Sequence, residues 1–500
     1  MLEVKNVDIS LSTRYLVKSL SFTLGVGDKL AIIGEEGNGK TTLLKAILGL
    51  CDYVTVTGSI ILNGAKVGYL AQSMDENLES KSVSEVLFIG EDDYYDKISK
   101  FYRYLESFGL DDSILKQKMS TLSGGENVKI RILKLLLDED DILVLDEPTN
   151  DLDIETLEWL EKFILETDKP LMYVSHDETL LSRTANMILH LEQIDNKSDC
   201  RHTLMRIDYD TYVENRLRSL AKQTQVAKSE RREFDKKREK LQQILNKVEY
   251  QQKTISRSDP HGARLLKKKM HSLKSQEKKL ENTELTNLPD VEESISFSFE
   301  DVYVPRNKII LNLDISELAV QDKVLIRNLK LDVVGNMHAC IIGKNGVGKT
   351  TLIKKIWEEL KGRDNIKVGY MPQNYDDVLA NYEYVLDFIS VSKSKEDITK
   401  ARTFLSNMNF TKEETTGKIS ELSNGTKAKL ILMKLVLEKC EVLILDEPTR
   451  NVSPLSNPVI RNVLKNFKGT IVSVSHDRKY IEEVADVVYL LDGNGLTKVL

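Results

Sequence analysis

Two short stretches of this 500-residue chain have the make-up of a loop that grips phosphate: "GEEGNGKTTL" from Gly34 and "GKNGVGKTTL" from Gly343. The first follows the strand-like run "KLAII" and opens the helical pattern "TTLLKAIL", the strand–loop–helix setting such a loop requires. Gly34 and Gly39, and Gly343 and Gly348, let backbone N–H groups curl around phosphate oxygens, and the helix N-terminus adds its dipole. Lys40 and Lys349 would meet the β- and γ-phosphates, and Thr41 and Thr350 would ligate Mg²⁺. Asp146 and Asp446 end apolar runs and suit the same ion, directly or through water. Glu147 and Glu447 follow, and a carboxylate just beyond a metal ligand can orient and polarise an attacking water. His176 and His476 end another apolar run and suit a γ-phosphate contact. Taken singly, a Gly-rich turn, a strand-end Asp-Glu pair or a strand-end His is an ordinary structural feature. Recurrence at fixed offsets is what lifts these above the ordinary.

The elements that must position them are written twice. "GYLAQ" ending at Gln72 returns as "GYMPQ" ending at Gln373, "LSGGE" from Leu122 as "LSNGT" from Leu422, and "ILVLDEPT" as "VLILDEPT". "YVSHD" from Tyr173 returns as "SVSHD" from Ser473. Ser123 to Glu147 is 24 residues, as is Ser423 to Glu447, and each glutamate lies 29 residues before its histidine. Such a long duplication predicts two homologous domains, 1–208 and 294–500, around a different segment, 209–293. Apolar β-rich runs alternating with helical patterns make each an α/β domain with a largely parallel sheet.

Composition limits the rest. Charged residues make up 30% of the chain and hydrophobic residues 41%, the balance of a folded protein. Cys51, Cys200, Cys340 and Cys440 have no metal-like spacing and read as reduced thiols of a cytoplasmic protein. The N-terminal "MLEVKNVDIS" alternates like a strand and lacks a signal-peptide core, and no apolar run approaches the roughly 20 residues of a membrane helix.

P-loop, Gln-bearing loop, LSGGE, Asp-Glu and His together resemble the ATP-binding cassette (ABC) ATPases, with LSGGE the discriminating element. The resemblance implies ATPase activity, ATP and Mg²⁺ as ligands, and two cassettes closing head to tail around two ATP molecules. Each ATP would lie between one domain's P-loop and the other's signature loop. In the first P-loop it adds Gly37, Asn38 and Thr42 as ATP contacts, and in the second Asn345, Gly346 and Thr351. Gln72 and Gln373 would touch both ATP and the metal. Ser123, Gly124, Gly125 and Glu126 would complete the Lys349 site, and Ser423 with Gly425 the Lys40 site. The second copy departs from the pattern twice: Asn424 and Thr426 replace Gly and Glu, and "RNVSP" replaces "NDLD" in the crossing segment after the glutamate, the D-loop. Both departures fall on the Lys40 site. Asn424 gives up a glycine where backbone approaches phosphate. The Lys349 site is therefore expected to hydrolyse better, while the Lys40 site, its own P-loop intact, still binds ATP. Arg450 either carries positive charge into the interface or is a solvated surface residue. Tyr15 is the candidate for stacking on adenine.

Residues 211–285 are different in kind. They hold 20 Lys/Arg and 10 Asp/Glu, a balance of +10 that leaves −17 on the rest of a chain of net charge −7. Leu220, Ala227, Phe234, Leu241 and Val248 recur every seven residues, as do Leu266, Leu273 and Leu280 after the break "SRSDPHGAR". That predicts an antiparallel helical hairpin, its first helix on the order of 60 Å long and its tip near Gln252–Arg264. A net-basic hairpin on an acidic body suits a partner rich in phosphate, such as RNA, although charge runs on helices are commonly solvated spacers.

Two cassettes, no membrane domain and a charged helical linker resemble the ABC-F family, whose members bind the bacterial ribosome at the tRNA exit site. Within it, "DEPTRNVSPLSNPVIR" resembles the antibiotic-resistance ribosome protection group, the Lsa-like and Vga-like proteins. That implies a cytoplasmic monomer whose linker 211–285 meets large-subunit rRNA and P-site tRNA. It would dislodge lincosamide, streptogramin A or pleuromutilin drugs from the peptidyl-transferase centre and leave on ATP hydrolysis. Gln72 to Ser123 spans 51 residues and Gln373 to Ser423 spans 50, so no extra arm is expected in the first domain, nor an extension after the last strand. The alternatives are a housekeeping ABC-F translation factor and the ATPase subunit of an exporter.

Overall fold

The computed structural model describes the chain except residues 12–13, 89–93, 195–198, 255–259, 282–301, 321–322, 364, 391–393, 408–409 and 451. The middle of the expected hairpin tip, the end of the expected linker and Asn451 of the altered D-loop thus lie outside the described residues. The chain forms two compact units, one of Met1–Asp210 with Glu292–Leu500 and one of Thr211–Val291.

Each half of the first unit is built on a six-stranded sheet. In the first half the order runs Val67–Leu70, Ile142–Asp146, Leu171–Val174, Lys29–Ile33, Met187–Ile194, Asp199–Met205. All neighbours pair in parallel except the last two strands, which are antiparallel. The second half repeats this order from Val368–Met371 and Val442–Asp446 through Thr470–Val474, His338–Ile342 and Val487–Asp492 to Gly495–Lys498. Lys29–Ile33, Ile142–Asp146 and Val442–Asp446 are buried along their whole length, which is why they read as unbroken apolar runs: both faces are covered. The mixed α/β class and the largely parallel sheets match the sequence reading. An antiparallel layer was not anticipated. Leu2–Ser10, Tyr15–Leu24 and Thr55–Ile61 form it in the first half, and Ile309–Val320 with Lys323–Val334 in the second. Its buried Leu and Val side chains close the core over the helix that follows each P-loop.

This topology places the chemistry. P-loop, Asp-Glu pair and His each follow the carboxyl end of a neighbouring parallel strand, where open α/β sheets gather their ligands.

In the second unit the helix Tyr209–Thr254 runs about 70 Å at 1.5 Å per residue, and Pro260–Glu281 is about half that length. They pack through Leu245, Val248 and Leu273, flanked by Leu241, Leu266 and Met270. Leu241, Val248, Leu266 and Leu273 are the expected heptad positions nearest the break, Leu245 and Met270 join them, and the short connection makes the pair antiparallel.

Candidate functional site

Both P-loops curl onto a helix N-terminus. Gly39 and Gly348 cap the helices Lys40–Ile47 and Lys349–Leu360 in left-handed conformation. Gly34 and Gly343 could not be replaced: a Cβ would lie 2.4 Å from the carbonyl oxygens of Leu191 and Leu491. Each lysine donates to its own loop: Lys40 to the Gly34 carbonyl and Lys349 to the Gly343 carbonyl, both at 2.8 Å. Glu147 and Glu447 hold positive φ values of 52° and 56°, rare for non-glycine residues and pinned by N–H donation to the carbonyls of Val174 and Val474.

The two halves face each other head to tail. The Lys349 P-loop closes a cavity of about 710 Å³ together with Gly124 and the D-loop of the first half. Of the expected residues, Asn345, Gly346, Gly348, Lys349, Thr350 and Thr351 line it from the P-loop. Gln373, Asp446, Glu447 and His476 line it from the strand ends. Gly343, Ser123, Gly125 and Glu126 do not reach its wall. Gly124 is needed there, because a Cβ would sit 2.7 Å from the Asp151 carbonyl and 3.8 Å from Asn345 Nδ2. Asn345 donates to that same Asp151 carbonyl, and Lys344 pairs with Glu155 at 2.8 Å. Arg450 resolves to the interface: it meets Asp151 at 2.8 Å and lines this cavity.

Several polar groups of this cavity are buried and left unsatisfied by the protein's own atoms. Both Asp446 carboxylate oxygens and His476 Nδ1 are buried without a well-formed hydrogen bond, Asp446 having the Thr350 hydroxyl beside it. Burial pushes the Glu447 carboxyl up to about 8, and burial with the charges of Lys349 and Arg450 pushes His476 down to about 4. His476 Nε2 stays 3.7 Å from Glu447. An oxygen-lined place beside Thr350, with two orphaned carboxylate oxygens, fits Mg²⁺.

The Lys40 P-loop closes a smaller cavity of about 250 Å³. Gly37, Gly39, Lys40, Thr41 and Thr42 line it with Gln72, Glu147 and His176. Gly34, Asn38 and Asp146 stand behind the wall; Asn38 is buried and donates to the Leu191 carbonyl at 2.9 Å. Thr41 and Tyr69 both donate to the Asp146 carboxylate, at 2.9 and 3.0 Å, so the two expected metal ligands already touch. His176 is held from both sides, by the Val452 carbonyl at Nδ1 and Glu147 at Nε2, each 2.9 Å away. Burial opposes ionisation of Glu147, but His176 and Lys40 overcome it and hold its carboxyl below the usual range. Glu147 Oε2 alone is left buried without a partner there. Tyr15 is not in the wall; it is exposed, with the Lys18 ammonium over its ring.

Ser423 and Gly425 were expected to complete this cavity, and neither lines it. The Gly425 N–H instead donates to the Glu36 carboxylate at 2.6 Å, and Glu35 accepts from Ser453 and Ser456 at 2.6 and 2.7 Å. Sequence reasoning missed Glu35 and Glu36, although the signal was in plain view: acids stand where the second loop has Lys344 and Asn345. Ser423 caps its helix through the Thr426 N–H, while Ser123 makes the full reciprocal capping box with Glu126.

Away from both cavities, a buried ionic cluster ties the halves together. Arg461 grips Glu178 bidentately at 2.5 and 3.1 Å and reaches Glu483 at 3.0 Å. Arg478 meets Asp177 and Glu161, and Lys479 lies 3.4 Å from Glu178.

Comparison with known proteins agrees with this geometry. The family model described as "ABC transporter" matches residues 17–150 and 326–450. ATP-binding protein Uup of Buchnera aphidicola is 27% identical over 518 residues, covering 99% of this chain and 81% of the relative. ABC transporter F family member 5 of Arabidopsis thaliana is 24% identical over 545 residues, covering 98% and 75%. Among solved structures, the archaeal ribosome recycling factor aABCE1, in complex with ribosomal stalk protein aP1, superposes with a TM-score of 0.60. It is 16% identical and covers 96% of this chain and 88% of that one, a likeness of fold. Among the described residues no helix is long and apolar enough to cross a membrane. The chain belongs to the ABC transporter family of ATP-binding domains, and its paired cassettes make it an ATPase.

Proposed function

We propose that this ATPase works as a cytoplasmic, monomeric ABC-F protein on the bacterial ribosome, binding at the exit site and dislodging drugs of the peptidyl-transferase centre. The observation that carries the reading is a helical pair with ten surplus positive charges, inserted between two cassettes that share crossed sites. Such a surface suits the phosphates of large-subunit rRNA and of P-site tRNA. The whole-length likeness to an ABC-F family member supports it, as does a shared fold with a recycling factor that assembles with a ribosomal protein. The drug-displacing role rests on the resemblance of "DEPTRNVSPLSNPVIR" to the resistance group.

In this reading Lys349, the loop amides of Gly346 and Gly348, and Thr351 hold the triphosphate, with Gly124 opposite. Thr350, Asp446 and Gln373 hold Mg²⁺, which when bound neutralises phosphate charge. Glu447 orients the attacking water and His476 meets the γ-phosphate. ATP binding selects the closed form that binds the ribosome, and hydrolysis releases it.

Co-sedimentation of the Glu147→Gln/Glu447→Gln protein with bacterial ribosomes tests this. Pelleting with ATP and not without nucleotide is expected; no pelleting by a folded, ATP-loaded protein overturns the ribosomal reading. A translation factor without a drug role is the second reading, and the likenesses above fit it equally well. Unchanged susceptibility to all three drug classes in cells expressing the protein would select it.

A further inference from the structure

The Glu36 carboxylate lies on the N-terminus of the 14-residue signature helix Asn424–Leu437, hydrogen-bonded to the Gly425 N–H at 2.6 Å. A helix N-terminus is a place for an anion, and the resemblance to paired cassettes implies that this one faces the outermost phosphate of a nucleotide on the Lys40 loop. We infer that Glu36 stands in for the γ-phosphate, so that the Lys40 site closes around a nucleoside diphosphate and discriminates against the triphosphate.

Three further observations point the same way. The Lys40 cavity, about 250 Å³, is roughly a third of the Lys349 cavity of about 710 Å³ and below the ordinary range for ligand sites. The opposite cassette has lost the acids that would repel this loop. Ser453 stands where the first half has Asp153, Leu455 where it has Glu155, and Thr426 where it has Glu126. Ser453 and Ser456 instead donate to Glu35. In the Lys349 site the charges run the other way, with Lys344 paired to Glu155 and neutral Asn345 bonded to the D-loop carbonyl. The altered D-loop and the acidic P-loop are thus two sides of one contact. A triphosphate entering the Lys40 site must bring its terminal charge against Glu36 or break the Gly425 bond. A diphosphate needs neither. This rests on the ATPase assignment and stands whether or not the partner is a ribosome.

The test uses the full chain carrying Lys349→Ala, so that the Lys40 site alone reports. Fluorescent ADP and a fluorescent non-hydrolysable ATP analogue are titrated against it with Glu36, Glu36→Gln or Glu36→Asn. With Glu36, ADP should bind at least about tenfold tighter, the effect of an unscreened like charge at close range. Both substitutions should tighten the triphosphate while leaving ADP unchanged. Equal affinities with Glu36, no binding of either nucleotide, or a parallel change for both nucleotides would overturn the assignment. The last is what a merely structural role gives. Should Lys349→Ala not fold, the Glu447→Gln protein is loaded from an equimolar ATP/ADP mixture and its bound nucleotide extracted. One ATP and one ADP per chain are expected, and two ATP per chain refute the idea.

Discussion

At the Lys349 site, Asp446 and His476 keep buried polar atoms without a well-formed hydrogen bond, and Glu447 accepts from the His476 backbone N–H at 3.2 Å while the imidazole Nε2 stays 3.7 Å away. At the Lys40 site, Asp146 is met by Thr41 and Tyr69, His176 is clamped between Glu147 and the Val452 carbonyl, and the signature amide is taken by Glu36. The strands and helices beneath the two are nearly the same. The difference teaches that a nucleotide site is narrowed less by losing its phosphate loop than by satisfying, from within the protein, groups that a larger ligand would have satisfied. Unmet buried polar groups cost stability, and a ligand that meets them recovers it.

The comparison can be broken at its shared base first. Arg461→Met keeps the side chain's length but leaves Glu178 buried beside Lys479 alone. Loss of about 3 kcal/mol, read as an earlier thermal transition, is expected, with both sites weakened together. A loss confined to one site's nucleotide affinity would mean the cluster is not common ground.

Chemistry comes next. Glu447→Gln should lower ATP turnover about 100-fold, and Glu147→Gln by less than about threefold, since Glu147 is already bound to His176. Steady-state phosphate release decides, and the reverse order would contradict the assignment of the working site. The smallest effect sharpens the contrast. Ser453→Asp should destabilise the chain by about 1 kcal/mol while Glu35 faces it, and Glu35→Lys in the same molecule should restore the loss. A double-mutant cycle with no coupling would show that the two positions changed independently.

Much of this was legible before any coordinates. The duplication, the P-loops, Asp446, Glu447, His476 and Gly124 carry their chemistry in residue type and spacing, and backbone geometry punishes substitution at such places. The heptads near the hairpin break were readable for the same reason. The antiparallel layer was not, because strands such as Ile309–Val320 alternate only in part and owe their burial to a helix distant in sequence. Nor was the Glu36–Gly425 contact, which joins residues 389 positions apart. "GEEG" looks intact to a pattern that leaves those positions free, and only the facing surface shows that the acids matter. Tyr15, the aromatic candidate for adenine, is exposed outside the cavity wall.

Because the Lys349 cavity draws its P-loop from one half and Gly124 from the other, while the Lys40 loop meets Gly425 only through Glu36, the two halves are not interchangeable spare parts. A dimer of two first halves would set Glu36 against Gly124; a dimer of two second halves would set Asn345 against Asn424. Neither would contain the hydrogen bond from Asn345 to the Asp151 carbonyl, beside Gly124, that closes the Lys349 cavity. Fusion into one polypeptide lets the two sites differ: in a symmetric dimer every substitution falls on both, whereas here one seat can be narrowed to a smaller ligand while its twin keeps its full size.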